Sequence, residues 1–222
     1  MPLFKQSKPE NNVFGHPISN ALLFGDIFCT ENSMYLGRAI NVVSALYSSD
    51  RKSRYTHAGI MLSSWETLES LWLVESHNIF SHYQGKHILI ARPIGMTQNS
   101  FLQGYNGIKK HIGQIYPIHR LFLHILNLAQ FIHWNRLVCS ELVAKFLYKS
   151  GFRHGEYFGT SPDMIADEIR YQLNANRTGP RYEIIFEGVL PVLEEKTCCF
   201  CFNTIFVPEN TLACPKCGCS PF

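Results

Sequence analysis

Three side chains far apart in the chain have the types and settings of a thiol nucleophile and its helpers. Cys139 heads an amphipathic run, His57 lies in one β-type segment and Glu75 in the next. The partial positive charge at a helix N-terminus favours a thiolate, and an imidazole in contact lowers the thiol pKa further while shuttling protons. A third polar group must orient that imidazole. Glu75 fills this role if its strand pairs antiparallel with that of His57 and both residues face one side of the sheet. Taken singly, each residue has an ordinary reading: Cys139 as a small buried hydrophobe, His57 as one of 10 histidines, Glu75 as a solvated strand residue. The combination is what points to nucleophilic catalysis.

A second set of thiols points to metal. The chain has 8 cysteines, and all but Cys29 and Cys139 fall between positions 198 and 219. Such clustering suggests metal binding and not a disulfide framework. Cys198-x-x-Cys201 and Cys214-Pro-Lys-Cys217 form two hooks, each placing a pair of thiolates on one tetrahedral zinc ion, and Gly218 permits the tight turn after the second. Strand-like Thr204-Ile-Phe-Val207 lies between the hooks. Cys199 and Cys219 are spare thiols, and either could replace its neighbour as a ligand. Four sulfurs leave no open coordination position, so the zinc is expected to be structural and to supply the folding free energy of a unit with little core. A protein partner is one candidate for the outer surface of this ribbon.

The remaining pattern is mixed α+β. Residues 1–20 are polar and read as a loose arm. Strands are expected over 24–30, 55–62, 71–76, 87–94 and 182–193, the middle three joined by short connections as an antiparallel meander. Apolar spacings of three and four predict helices over 35–47, 101–115 (despite Gly104 and Gly107) and 118–134. A further helix from Val138 stops at Gly151, and another opens with Ser161 as N-cap and Pro162 at its first position. The expected organisation is an arm over 1–20, a main domain over 21–194 and the ribbon over 195–222.

Of the 222 residues, 46% are hydrophobic and 17% charged, and the formal charge is +3, which is ordinary for a soluble protein and gives no strong nucleic-acid signal. The greasiest stretch, 121–132, is broken by His124, Asn127 and Gln130 and is shorter than the ~20 residues that span a bilayer, so no transmembrane segment is expected. The N-terminus lacks a secretory pattern, and a cytoplasmic location is the expectation.

Thr56-His-Ala-Gly-Ile, Leu73-Val-Glu-Ser and Val138-Cys-Ser-Glu-Leu-Val resemble the successive motifs of the circularly permuted NlpC-like cysteine peptidases, the group that includes YiiX-like proteins and is related to lecithin-retinol acyltransferase. Gly25-Asp-Ile is similar to their opening strand, Gly113-Gln-Ile-Tyr116 to their Gly-x-x-Tyr segment and Ser161-Pro-Asp-Met to their closing motif. Pro117 stands where the family often has Asp. The histidine precedes the cysteine, as permutation implies. The resemblance covers roughly residues 22 to 170 and implies a permuted papain-like domain with an antiparallel sheet and packed helices. It also implies Cys139 as nucleophile, His57 as general base and acid, Glu75 as orienting residue, and cleavage of a peptide-like or isopeptide-like amide through a thioester. Two other readings stay open: acyl transfer or lipid-ester hydrolysis on an acyl substrate, and a non-catalytic binding module that works through the ribbon.

Overall fold

The computed structural model describes residues 18–31, 54–115, 137–153, 157–171, 182–202, 204–208, 212–214 and 217–220. The expected helices over 35–47 and 118–134, most of the arm over 1–20, and Tyr116 and Pro117 lie outside the described residues.

The central element is a six-stranded antiparallel sheet. Its strands are β1 (Ile27–Thr30), β2 (His57–Met61), β3 (Glu66–Ser70), β4 (Val74–Asn78), β5 (His87–Pro93) and β6 (Tyr182–Val189), in the spatial order β4-β3-β2-β1-β5-β6. The short helix α1 (Ile79–Tyr83) follows β4. The helix α2 (Gln98–Ile108) runs into a 3-10 turn, Lys109–His111, and α3 (Cys139–Lys149) and α4 (Pro162–Tyr171) precede β6.

Alternation along the strands divides the apolar residues between two cores. Ile27, Cys29, Ala58, Ile60, Leu68, Leu89 and Ala91 face Leu142, Val143 and Phe146 of α3 and Ile165 and Ile169 of α4. Phe28, Met61, Ile88 and Ile90 face the other way, against Ile79, Phe80 and Tyr83 of α1. The helical glycines that weaken α2 as a sequence signal have a packing reason. A Cβ on Gly104 would lie 2.7 Å from the Phe146 ring and 2.1 Å from Ser150 Oγ, so its absence lets α2 and α3 approach closely.

Two differences from the sequence-based expectation bear on the site. The meander has a strand that the reading lacks, β3, between the strand of His57 and that of Glu75; its polar face (Thr67, Glu69) and short length hide it among the charges of Glu66-Thr-Leu-Glu. Of the segment read as strand over 71–76, residues 74–76 belong to β4, and only 71–73 form the turn that leads into it.

After β6, the strands β7 (Leu193–Thr197) and β8 (Thr204–Pro208) pair as a separate antiparallel hairpin. Its core is Cys198, Val207 and Cys214 with Cys201 packed against them. Among the described residues, no helix is long and apolar enough to cross a membrane.

Candidate active site and cysteine cluster

The helix α3 begins at Cys139 because Val138 is extended and its amide donates to the Glu141 carboxylate at 3.3 Å, closing the first turn. Glu141 also accepts from the Gly159 amide at 3.0 Å, and the Ser140 hydroxyl donates to the Thr160 carbonyl at 2.6 Å, so the loop before α4 clamps the helix start. On the other side, the Ser70 hydroxyl of β3 donates to the Leu137 carbonyl at 3.3 Å.

α3 packs on one sheet face, whereas His57 shares the opposite face with Met61. The ladder between β2 and β3 resolves this, because it ends at the pair Gly59↔Glu69. The Leu62 amide donates to the Glu66 carbonyl, and alternation aims the Ala58 amide toward β3 in the same way. Beyond the end of the ladder, the Ala58 amide donates to the Cys139 sulfur instead. The thiol therefore sits where β2 and β3 part, within reach of the imidazole.

His57 Nε2 lies 2.7 Å from Glu69 Oε2, with both side chains buried. The same ring is hydrogen-bonded to the Cys139 thiol, and with Nε2 occupied by Glu69 the free nitrogen is Nδ1. Glu69 is held from two further directions: the Thr67 hydroxyl lies 2.7 Å from Oε1, and the Tyr83 hydroxyl donates to Oε2.

The electrostatics follow from this packing. Burial opposes the charged imidazole, but the thiolate of Cys139 and the carboxylate of Glu69 outweigh it and lift His57 to about 10. Burial likewise pushes the Cys139 thiol up, yet the His57 charge and hydrogen bond, with the Ala58 and Ser140 amides on sulfur, bring it below its ordinary value. Burial would raise Glu69, and the bonds from His57, Tyr83 and Thr67 reverse that and take it to about 2. The arrangement favours thiolate and imidazolium over thiol and imidazole.

The carboxylate in contact with His57 is Glu69 and not Glu75. The two stand directly opposite one another in the β3–β4 register, but Glu75 is one strand further from His57, 44% exposed, and its Oε1 lies 3.5 Å from His77 Nε2. What the sequence does offer for Glu69 is its polarity two residues from Thr67 in an alternating segment. Gly59 completes the arrangement: a Cβ there would lie 2.5 Å from the Phe28 ring and 3.2 Å from Glu69 Cβ.

Asp163 in the Ser-Pro-Asp-Met segment accepts from the backbone amides of Arg54 and Tyr55, at 3.2 and 3.4 Å, and so fixes the chain as it enters β2 two residues before His57. Tyr55 turns away from the thiol, its hydroxyl accepting from Arg170 at 3.0 Å and facing Glu187 at 3.4 Å.

In the hairpin, one ligand atom from each of Cys198, Cys201, Cys214 and Cys217 lies within 4.8 Å of the others. Cys198 and Cys217 are 3.6 Å apart at sulfur, and Cys201 and Cys214 3.7 Å. A tetrahedron with metal–sulfur bonds of ~2.3 Å has edges of about 3.8 Å, so the sulfurs are spaced to hold one ion. Gly218 at φ 74° turns back so that its amide reaches the Cys214 carbonyl at 2.7 Å. Cys199 and Cys219 stand outside this group of four, and Cys219 Sγ instead faces the Cys217 carbonyl at 3.9 Å.

The chain is distantly similar to solved structures. The solved structure of the metalloprotein YiiX from Escherichia coli O157:H7, described as DUF1105, superposes with a TM-score of 0.45 at 19% sequence identity, covering 73% of this chain and 88% of that one. No family model matches the chain, and neither does any curated protein. The chemistry is therefore read from the side chains themselves.

Proposed function

We propose that this protein is a thiol hydrolase of permuted papain-like type that cleaves an amide, peptide-like or isopeptide-like, through Cys139, His57 and Glu69. The observation that carries this reading is the buried chain of contacts from the Cys139 thiol to His57 and from His57 Nε2 to Glu69 Oε2 at 2.7 Å. A buried imidazole held between a thiol and a carboxylate is costly as a purely structural feature, and it suits proton transfer.

In this mechanism the Cys139 thiolate attacks the acyl carbon, and the carbonyl electrons move to oxygen. The Cys139 amide at the start of α3 is the candidate donor to the oxyanion. Collapse of the tetrahedral species breaks the carbon–nitrogen bond as imidazolium His57 gives its proton to the leaving amine, and a thioester remains. His57, now neutral, takes a proton from water, whose oxygen attacks the thioester and releases the acid and the Cys139 thiolate. Glu69 keeps the ring oriented and its charge matched. The cysteine cluster of the hairpin is proposed to bind structural zinc, in a ribbon over 195–222 appended to a hydrolase unit over 21–194.

The deciding experiment is alkylation by iodoacetamide at limiting dose, with the modified cysteine located by peptide mapping of zinc-loaded protein. Preferential modification of Cys139 below pH 7, lost in His57→Ala, is the expected result. Labelling confined to the ribbon, or indifferent to His57, would overturn the proposal.

A further inference from the structure

The polar groups of the site include one that the mechanism above does not use. Tyr83 is the last residue of α1, buried, and reaches the triad from the sheet face opposite α3. Its hydroxyl donates to Glu69 Oε2, the same oxygen that receives His57 Nε2, while Thr67 occupies Oε1. Its ring lies stacked on that of His57, with centroids 6.2 Å apart and planes 26° apart, and closes against Phe28 at 5.4 Å. We propose that Tyr83 is a positioning residue of the triad: by sharing Glu69 Oε2 with His57 it sets how strongly the carboxylate holds the imidazolium, and through it how readily His57 releases a proton.

The physical argument is competition for one oxygen. Two donors on the same carboxylate oxygen each draw on its charge, so each bond is weaker than it would be alone. A triad carboxylate that binds imidazolium too tightly leaves a poor acid for the departing amine, because the proton must leave His57 during acylation. Tyr83 tempers that grip, and burial beside Glu69 holds its phenol far above the ordinary value, so it remains a donor throughout the working range. The charged and titratable groups facing this pair are His57 from β2, Cys139 from α3, His82 on the same helix, and Lys86, whose ammonium lies 5.5 Å from the Tyr83 ring centroid.

This inference rests on the triad reading, and the test separates the two. The first measurement is His57 dependence of Cys139 alkylation by iodoacetamide in the otherwise wild-type protein. The second is a pair of pH titrations, the alkylation rate for the thiolate and the His57 ring resonances for the imidazolium. Tyr83→Phe keeps the ring and deletes the donor. It should raise the His57 midpoint and lower the thiolate midpoint, each by about half a unit to one unit, the scale of one hydrogen bond to a charged group. Replacing Tyr83 by 3-fluorotyrosine, nearly isosteric and a stronger donor, should shift both midpoints in the opposite directions, and it carries the test if Tyr83→Phe does not fold. A role confined to packing would move neither. Retained His57 dependence with both midpoints unmoved sinks the role of Tyr83 alone, whereas absent His57 dependence in the wild type sinks the triad reading and this inference with it.

Discussion

On the proposed reading, the two sulfur centres of this chain solve the same problem, keeping a thiolate charged, with different resources. At Cys139 the counter-charge is organic: an imidazole from β2, a carboxylate behind it from β3, and amides from Ala58 and Ser140, all set in a sheet with a helix face and a second core beneath it. In the hairpin, three of the four cysteines, Cys198, Cys214 and Cys201, make up most of the core among the described residues, together with Val207. The first centre is built by a fold that stands without it. In the second, fold and ligand set are one thing, so removing the charge-holding partner should have opposite consequences in the two places.

Metal removal is the sharpest way to break that comparison. With the proposed metal bound, a chelator strong enough to strip it should unfold the hairpin outright, seen as loss of dispersion in the resonances of residues 193–219, and Cys214→Ser should do the same without a chelator. His57-dependent alkylation of Cys139 should persist in both. If it were lost along with the metal, the independence of the two centres would be wrong.

Next in size is the choice of carboxylate. Glu69→Gln removes the charge behind His57 and permits the wrong tautomer, and it should lower the thiol reactivity at pH 6 by at least about 100-fold. Glu75→Gln, on a half-exposed side chain one strand away, should change it by no more than about twofold. Equal effects of the two substitutions would remove Glu69 from the site.

That contrast also marks what was legible in the sequence. Cys139 at a helix head, His57 in a strand and the spacing of the four hook cysteines are local features, and local pattern suffices to find them. The third member depends on which strand lies beside β2. β3 is five residues long, and four of them, Glu66, Thr67, Glu69 and Ser70, are polar, so hydrophobic alternation gives almost no signal there. The polarity has a cause: Thr67 and Glu69 point into the site, and Ser70 holds the Leu137 carbonyl. The contacts that these polar side chains make are what obscure the strand in the sequence, and Glu75, in a more apolar segment, is the carboxylate that the local pattern singles out. Gly59 was equally silent, since the sequence cannot reveal that the Phe28 ring occupies the space of its missing Cβ.

Gly59 supplies a smaller effect that still discriminates between the centres. Gly59→Ala forces a methyl group toward Phe28 and Glu69 and should destabilise the sheet by about 1–3 kcal/mol, as overpacking does. Denaturant unfolding followed through the tryptophans would measure it. The hairpin should keep its metal affinity, and a parallel loss there would mean that the two units unfold together.

The smallest expected effect is a pH dependence of stability whose shape identifies the charged pair. His57, raised from 6.5 to about 10, contributes stability that is complete below pH 6.5 and lost as the pH rises through 10. Cys139, depressed from 9.0, contributes stability that is present above pH 9.0 and lost as the pH falls through its folded value. Where the native pair is thiolate and imidazolium and the unfolded pair is thiol and imidazole, up to pH 9.0, each binds one proton, carried by the imidazole in the native state and by the thiol in the unfolded state, so the joint contribution is flat there and declines above pH 9.0 until His57 loses its proton. Glu69, lowered from 4.5 to about 2, adds a further decline as the pH falls below 4.5. In Cys139→Ala the compensation disappears, and the stability that Glu69 still lends to imidazolium His57 should be lost as the pH rises above 6.5 with no thiolate to offset it. Thermal melts of the two proteins from pH 5 to 9 should diverge on the alkaline side. Parallel curves would mean that sulfur and imidazole do not exchange a proton in the native state.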